Sequence, residues 1–197
     1  MKKKHGRYII TLNAVVVLSF VFLCFVATLL GFLTKDKLTL LLFSTYRSSF
    51  LNPLTYLRFF THSIGHVGWE HFLGNASYLL ILGPMLEEKY GSKVIVEIIL
   101  ITALITGIIN FALFPDSRLC GASGVVFAFI MLASFTGFRD GEIPLTFILV
   151  AIIFIGQQLI DGLTVKDNIS NMAHVVGGVV GAICGFLLNR KKGGKTY

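Results

Sequence analysis

Long, mostly apolar stretches separated by short polar breaks make up most of this chain. A helix needs roughly 20 such residues to cross a hydrocarbon layer about 30 Å thick. Six stretches approach that length: Ile9 to Leu33, His71 to Leu86, Val94 to Phe114, Leu119 to Phe138, Ile143 to Ile160 and Met172 to Asn189. The second is the weakest, because polar residues occupy its first turns. The pattern predicts an all-α membrane protein of six spans, a single domain over residues 1–197 with no repeat of fixed period. One segment breaks the rhythm. From Thr34 to Glu70 the aromatic residues Phe43, Tyr46, Phe50, Tyr56, Phe59, Phe60 and Trp69 alternate with Arg47 and Arg58, the mixture that settles at a membrane–water boundary. Backbone at that depth must satisfy its hydrogen bonds internally or with trapped water, so this long loop between spans one and two is expected to fold against the helices at the outer leaflet.

Composition agrees with a lipid solvent. Of 197 residues, 55% are hydrophobic and 14% charged, more apolar surface than one water-soluble core can hide. The first stretch follows Lys2, Lys3, Lys4 and Arg7, but it is too long for a cleavable signal core and no A-x-A site follows, so it is expected to remain as a first helix. Positive loops stay cytoplasmic. Both ends are basic, with Arg190, Lys191, Lys192 and Lys195 closing the chain. An even number of spans then puts both termini inside, together with Lys89, Lys93 and Arg139. The net charge of +7 is therefore a topology signal and a source of contact with anionic lipid; nothing in it supports a nucleic-acid partner. Cys24, Cys120 and Cys184 are scattered and odd in number, and read as small buried residues rather than a disulfide framework.

Polar groups inside spans are costly, which makes each a functional candidate. Here they gather on the even-numbered spans: His71 and Asn75 open span two, Ser123 lies in the first turns of span four, and Asn171 and His174 open span six. These three spans run in the same direction, so the groups enter the bilayer from its outer side at similar depth. A serine hydroxyl becomes a nucleophile when a neighbouring base takes its proton, and neutral histidine is the commonest such base. The glycines of GASG, Gly121 to Gly124, clear bulk around Ser123. A helix start leaves amide N–H groups free for an oxyanion, and His71 and Asn75, spaced i, i+4, could add side-chain donors. No acidic residue is evident to orient His174; Asp161 or Asp167 could do so only if the preceding loop folded back.

Four pieces in this order resemble the rhomboid family of intramembrane serine proteases: FTHSIGHVGWEHFLGN (Phe60 to Asn75), LEEKYG (Leu86 to Gly91), GASG and NMAHVVGG (Asn171 to Gly178). The resemblance implies a six-transmembrane-helix bundle of the bacterial type in an inner (plasma) membrane, with its active site toward the outer face. It implies Ser123 as nucleophile, His174 as base, and His71, Asn75, Gly121 and Ser123 around the oxyanion. His66, Glu87, Arg58, Phe127, Asn171 and Gly178 would be structural. Two departures stand out: Leu57 replaces the tryptophan that often precedes the loop arginine, and Phe127 replaces a tyrosine that stacks on the catalytic histidine in many relatives. The implied substrates are single-pass membrane proteins cut near the outer face; no cofactor is implied, and the oligomeric state is open.

Three competing readings follow from the same residues. A rhomboid-like protein that binds client helices without cutting them typically lacks the serine or the histidine. A zinc site from His62, His66 and His71 has no HExxH helix or acidic fourth ligand beside it. A transporter would call for an inverted repeat.

Overall fold

A computed structural model describes residues 12–137, 142–164 and 168–190. It contains eight helices among those residues: α1 Val15–Leu33, α2 Lys37–Leu42, α3 Pro53–Thr61, α4 Trp69–Tyr90, α5 Ser92–Leu113, α6 Ser123–Ser134, α7 Leu145–Thr164 and α8 Asn168–Arg190. No strand forms among the described residues beyond an isolated bridge between Thr45 and Leu119. By length and composition, Val15–Leu33, Ser92–Leu113 and Asn171–Asn189 can each cross a membrane, and Ser123–Ser134 and Leu145–Phe154 are shorter apolar helices.

Helix limits differ from the sequence expectation in instructive ways. The first span was expected from Ile9, but helix begins at Val15, and residues 1–11 lie outside the described set. α4 extends beyond 71–86 at both ends because the polar residues of its first and last turns are helical too. The fourth span was expected over 119–138, yet α6 begins only at Ser123. Gly121, at φ +128, lies outside the range helical residues adopt, and Leu119 is held extended by its bridge to Thr45. α8 begins before Asn171, at Asn168. The remaining helices, α5 and α7, start within two residues of the expected 94 and 143.

The segment between α1 and α4 folds into α2 and α3. Asn52 caps α3 by accepting from the Leu54 amide at 3.0 Å, with Pro53 placed where the missing N–H costs nothing. Arg58 is buried and donates through Nε to the Leu41 carbonyl at 2.7 Å. Its guanidinium and that of Arg118 lie 4.5 and 4.9 Å from the centroid of the Tyr46 ring, so one aromatic side chain ties this segment to the approach to α6.

α6 is the centre of the bundle. Ala128, Phe129 and Leu132 are wholly buried, with Leu79 and Leu86 of α4 and Ile95 and Ile98 of α5 packed in the same core. Lipid gives helices no hydrophobic reason to associate, so close packing has to hold them together. Along the α6–α8 contact it does: a Cβ at Gly177 would strike the Gly124 carbonyl, one at Gly181 the Ala128 backbone, and one at Gly185 the Phe135 ring. At the opposite end of α4, Glu87 accepts from the Val16 and Val17 amides at 3.1 and 3.0 Å and from the Ser92 hydroxyl at 2.7 Å. α1 has no capping side chain of its own, and Glu87 supplies that cap from a neighbouring helix.

Candidate active site

Three hydrogen-bonded contacts deliver the chain to Ser123. Leu119 and Thr45 exchange both backbone bonds, at 2.9 and 3.0 Å; the Gly121 amide donates to the His62 carbonyl at 2.9 Å; the Ala122 amide donates to His66 Nε2 at 3.3 Å. The last bond fixes a tautomer. His66 Nδ1 faces the Ile64 carbonyl at 3.2 Å, and a carbonyl only accepts, so the proton sits on Nδ1 and Nε2 is free to receive Ala122. Burial, followed by the charge of the nearby His71, pushes the His66 imidazole down to about 4, against the opposing pull of the Ile64 bond. His62 is also pushed down to about 4 by burial, partly opposed by its Nε2 donating to the Ala103 carbonyl at 2.9 Å. Both rings are therefore neutral at pH 7 and act as fixed braces. With both His66 nitrogens committed, His62, His66 and His71 do not share a common set of free donors for a metal.

Gly121 was expected beside the oxyanion, and its amide is given to the His62 carbonyl. What the glycine provides is room. A Cβ there would lie 2.7 and 2.8 Å from His71 Cε1 and Nε2 and 3.8 Å from Asn75 Nδ2, and its φ of +128 lies where L side chains are strained. The missing side chain lets His71 and Asn75 lie over the turn before Ser123. Asn75 is buried, and its Nδ2 has no hydrogen-bond partner, an expensive state for an amide unless something visits it. As the first residue of α6, Ser123 has an amide outside the helix's own ladder.

The other wall is made of rings. Phe127, one turn into α6, stacks on His174 of α8 with centroids 4.1 Å apart and planes 10° from parallel. Phe154 of α7 meets Phe127 edge-on at 4.2 Å. Ser123, His174, His71 and Asn75 line one cavity of about 450 Å³, with Phe127 and Phe154 at its side. A second, apolar cavity of about 200 Å³ lies beyond His174, between α6, α7 and α8. Of the remaining expected residues, Asn171 has a buried Nδ2 without a hydrogen-bond partner. Gly178 makes only ordinary contact with Met131; Gly177 is the glycine pressed against α6. The side chain of Asp161 and all of Asp167 lie outside the described residues. Cys24, Cys120 and Cys184 are free thiols.

Sequence reasoning missed Phe154, Glu70 and Gln157, all of which line the main cavity. Phe154 carries no signal among so many phenylalanines. Gln157 did: it belongs to an amide pair that follows a long apolar run in α7.

The sequence is similar to those of known proteins. A family model described as the Rhomboid domain matches residues 53–191. The protein named Rhomboid protease GlpG from Enterobacter sp. (strain 638) is 34% identical over 139 residues, which is 68% of this chain and 50% of that protein. Rhomboid-related protein 1 from Caenorhabditis elegans is 29% identical over 140 residues, 66% of this chain and 39% of that protein. The chain thus spans half or less of the length of these relatives. The family match extends over more than half of the chain and contains Ser123, His174, His71 and Asn75, so this chain is an integral membrane protein that belongs to the rhomboid family.

Proposed function

We propose that this chain is an intramembrane serine endopeptidase using Ser123 and His174 as a dyad. His174 takes the proton from the Ser123 hydroxyl as its oxygen attacks a substrate carbonyl, giving a tetrahedral oxyanion. The Ser123 amide, Asn75 Nδ2 and His71 donate to that oxyanion. His174 then returns the proton to the leaving amine, and water releases the acyl group by the same steps in reverse order. The Phe127 ring holds the imidazole face, while His66 and His62 set the turn that carries Ser123. His66, Glu87, Arg58, Phe127 and Asn171 serve structure rather than chemistry.

The observation that carries this reading is the single cavity shared by Ser123, His174, His71 and Asn75, with the Asn75 amide unpartnered within it. It favours a protease over a non-catalytic client-binding protein, which has no need for a hydroxyl and an imidazole at one site. The proposal includes six spans, with α4, α6 and α7 joining the three long apolar helices, both termini cytoplasmic and the cavity toward the outer face of a bacterial inner membrane. Its substrates are single-pass membrane proteins. The name of the Enterobacter relative, a rhomboid protease, supports the same reading. Cleavage of a single-span reporter by the purified protein tests it: Ser123→Ala and His174→Ala are expected to stop cleavage while remaining folded. Undiminished cleavage by Ser123→Ala would remove the nucleophile.

A further inference from the structure

We infer that the flank of the cavity formed by Glu70 and Gly74 selects substrates carrying a lysine or arginine close to the cut bond, with Glu70 as the specificity-determining residue. This deepens the protease reading and rests on it. Glu70, Gly74 and Tyr78 are spaced i, i+4, i+8 on α4, so they form one strip of that helix beside the strip of His71 and Asn75. All three line the same cavity as Ser123, and Gln157 of α7 lines it too.

Gly74 gives the first sign of a built pocket. A glycine inside a helix costs about 1 kcal/mol relative to alanine, and at Gly177 and Gly181 close packing against α6 offsets that cost. At Gly74 a Cβ would meet nothing within 4 Å. Packing does not require the glycine; what it leaves is open room on the cavity wall, one turn from the Glu70 carboxylate.

Charge gives the second. Among the described residues Glu70 is the only acidic one lining this cavity, and it is exposed. Among the described residues the one ion pair joins Lys93 to Glu97 on α5, so Glu70 has no cationic partner there. A carboxylate in a first helical turn also favours the helix start, but that role can be filled on any face of the helix, whereas Glu70 sits on the face that borders the cavity. A cationic side chain has the length to lay its methylenes over Gly74 and place its charge at Glu70. An extended substrate advances roughly 3.3 Å per residue, and a compact cavity of about 450 Å³ is roughly 10 Å across, about three such steps, which puts the selected position within about four residues of the cut bond.

The test uses synthetic single-span peptides carrying Lys, Gln or Glu at each of those positions in turn, presented to the full-length protein in lipid vesicles. Cleavage rates are measured for wild type, and binding of the same peptides is measured on wild type and on Ser123→Ala. At one position at least, Lys is expected to exceed Glu by about threefold to fivefold in both readouts, with the ratio shrinking as salt is raised. Glu70→Gln is expected to bring the ratio near one, and Glu70→Lys to reverse it. Wild type that shows no Lys preference at any position, or a preference unchanged in both Glu70 variants, would overturn the assignment. Should Ser123→Ala cut like wild type, the nucleophile assignment would fall, while the binding ratios would still decide the question of Glu70.

Discussion

The two walls beside Ser123 are built from different forces. On one side the chain is held by directed bonds: the Thr45–Leu119 bridge, Gly121 to the His62 carbonyl, and Ala122 to His66 Nε2. On the other, Phe127, Phe154 and His174 meet through ring faces and edges, with cavities of about 450 and 200 Å³ on either side of His174. Directed bonds fix one arrangement and fail steeply when displaced, whereas ring contacts of about 1 kcal/mol each tolerate adjustment. Ser123 therefore stands on the rigid wall, and His174 leans on the compliant one. The proposed protease, which would hold a reacting oxygen in place and still admit a polypeptide, has use for both.

The contrast is broken most severely at Gly121. Gly121→Val forces a branched side chain into a φ of +128 and against the His71 ring, a strain of about 3 kcal/mol or more. Loss of cleavage and a large fall in the thermal unfolding midpoint are expected; a variant with normal stability and turnover would mean that the turn is not rigid.

The next effect is at His66. His66→Ala removes the acceptor for the Ala122 amide and leaves a cavity in a buried position, a loss of about 2–3 kcal/mol measurable as thermal stability in detergent. The same wall should respond to acid. His62 and His66 are both held near 4 when folded, below the ordinary 6.5. The unfolded chain therefore binds protons first as pH falls, and the stability these neutral rings contribute is complete above about 6.5 and lost progressively toward 4. A thermal midpoint that declines across that window is expected, and a flat profile would deny that the two imidazoles are neutral braces.

The smallest effect is expected on the compliant wall. Phe127→Leu keeps an apolar side chain but loses the stack on His174, lowering cleavage by up to about tenfold with little change in unfolding midpoint. A drop in stability as large as that of His66→Ala would erase the difference between the walls.

Much of the site was legible because polar residues are conspicuous in apolar spans. Ser123, His174, His71 and Asn75 stood out for that reason. The start of α6 was not legible, since Leu119 and Cys120 read as helix by hydropathy. The turn there is set by a bridge to Thr45 and by a bond to the His62 carbonyl, both far away in sequence. The committed state of the Gly121 amide was hidden for the same reason, because a backbone acceptor leaves no mark in the order of residues. Glu87 was legible as structural from its place in LEEKYG, but its partners, the first amides of α1, emerge only when α1 and α4 are packed together.

The central claim is that Ser123 is an activated nucleophile, and labelling by a serine-reactive fluorophosphonate tests it without any knowledge of the substrate. Wild-type protein in its native membrane is expected to take up the label, His174→Ala to take up far less, and Ser123→Ala none. Equal labelling of wild type and Ser123→Ala would contradict the account.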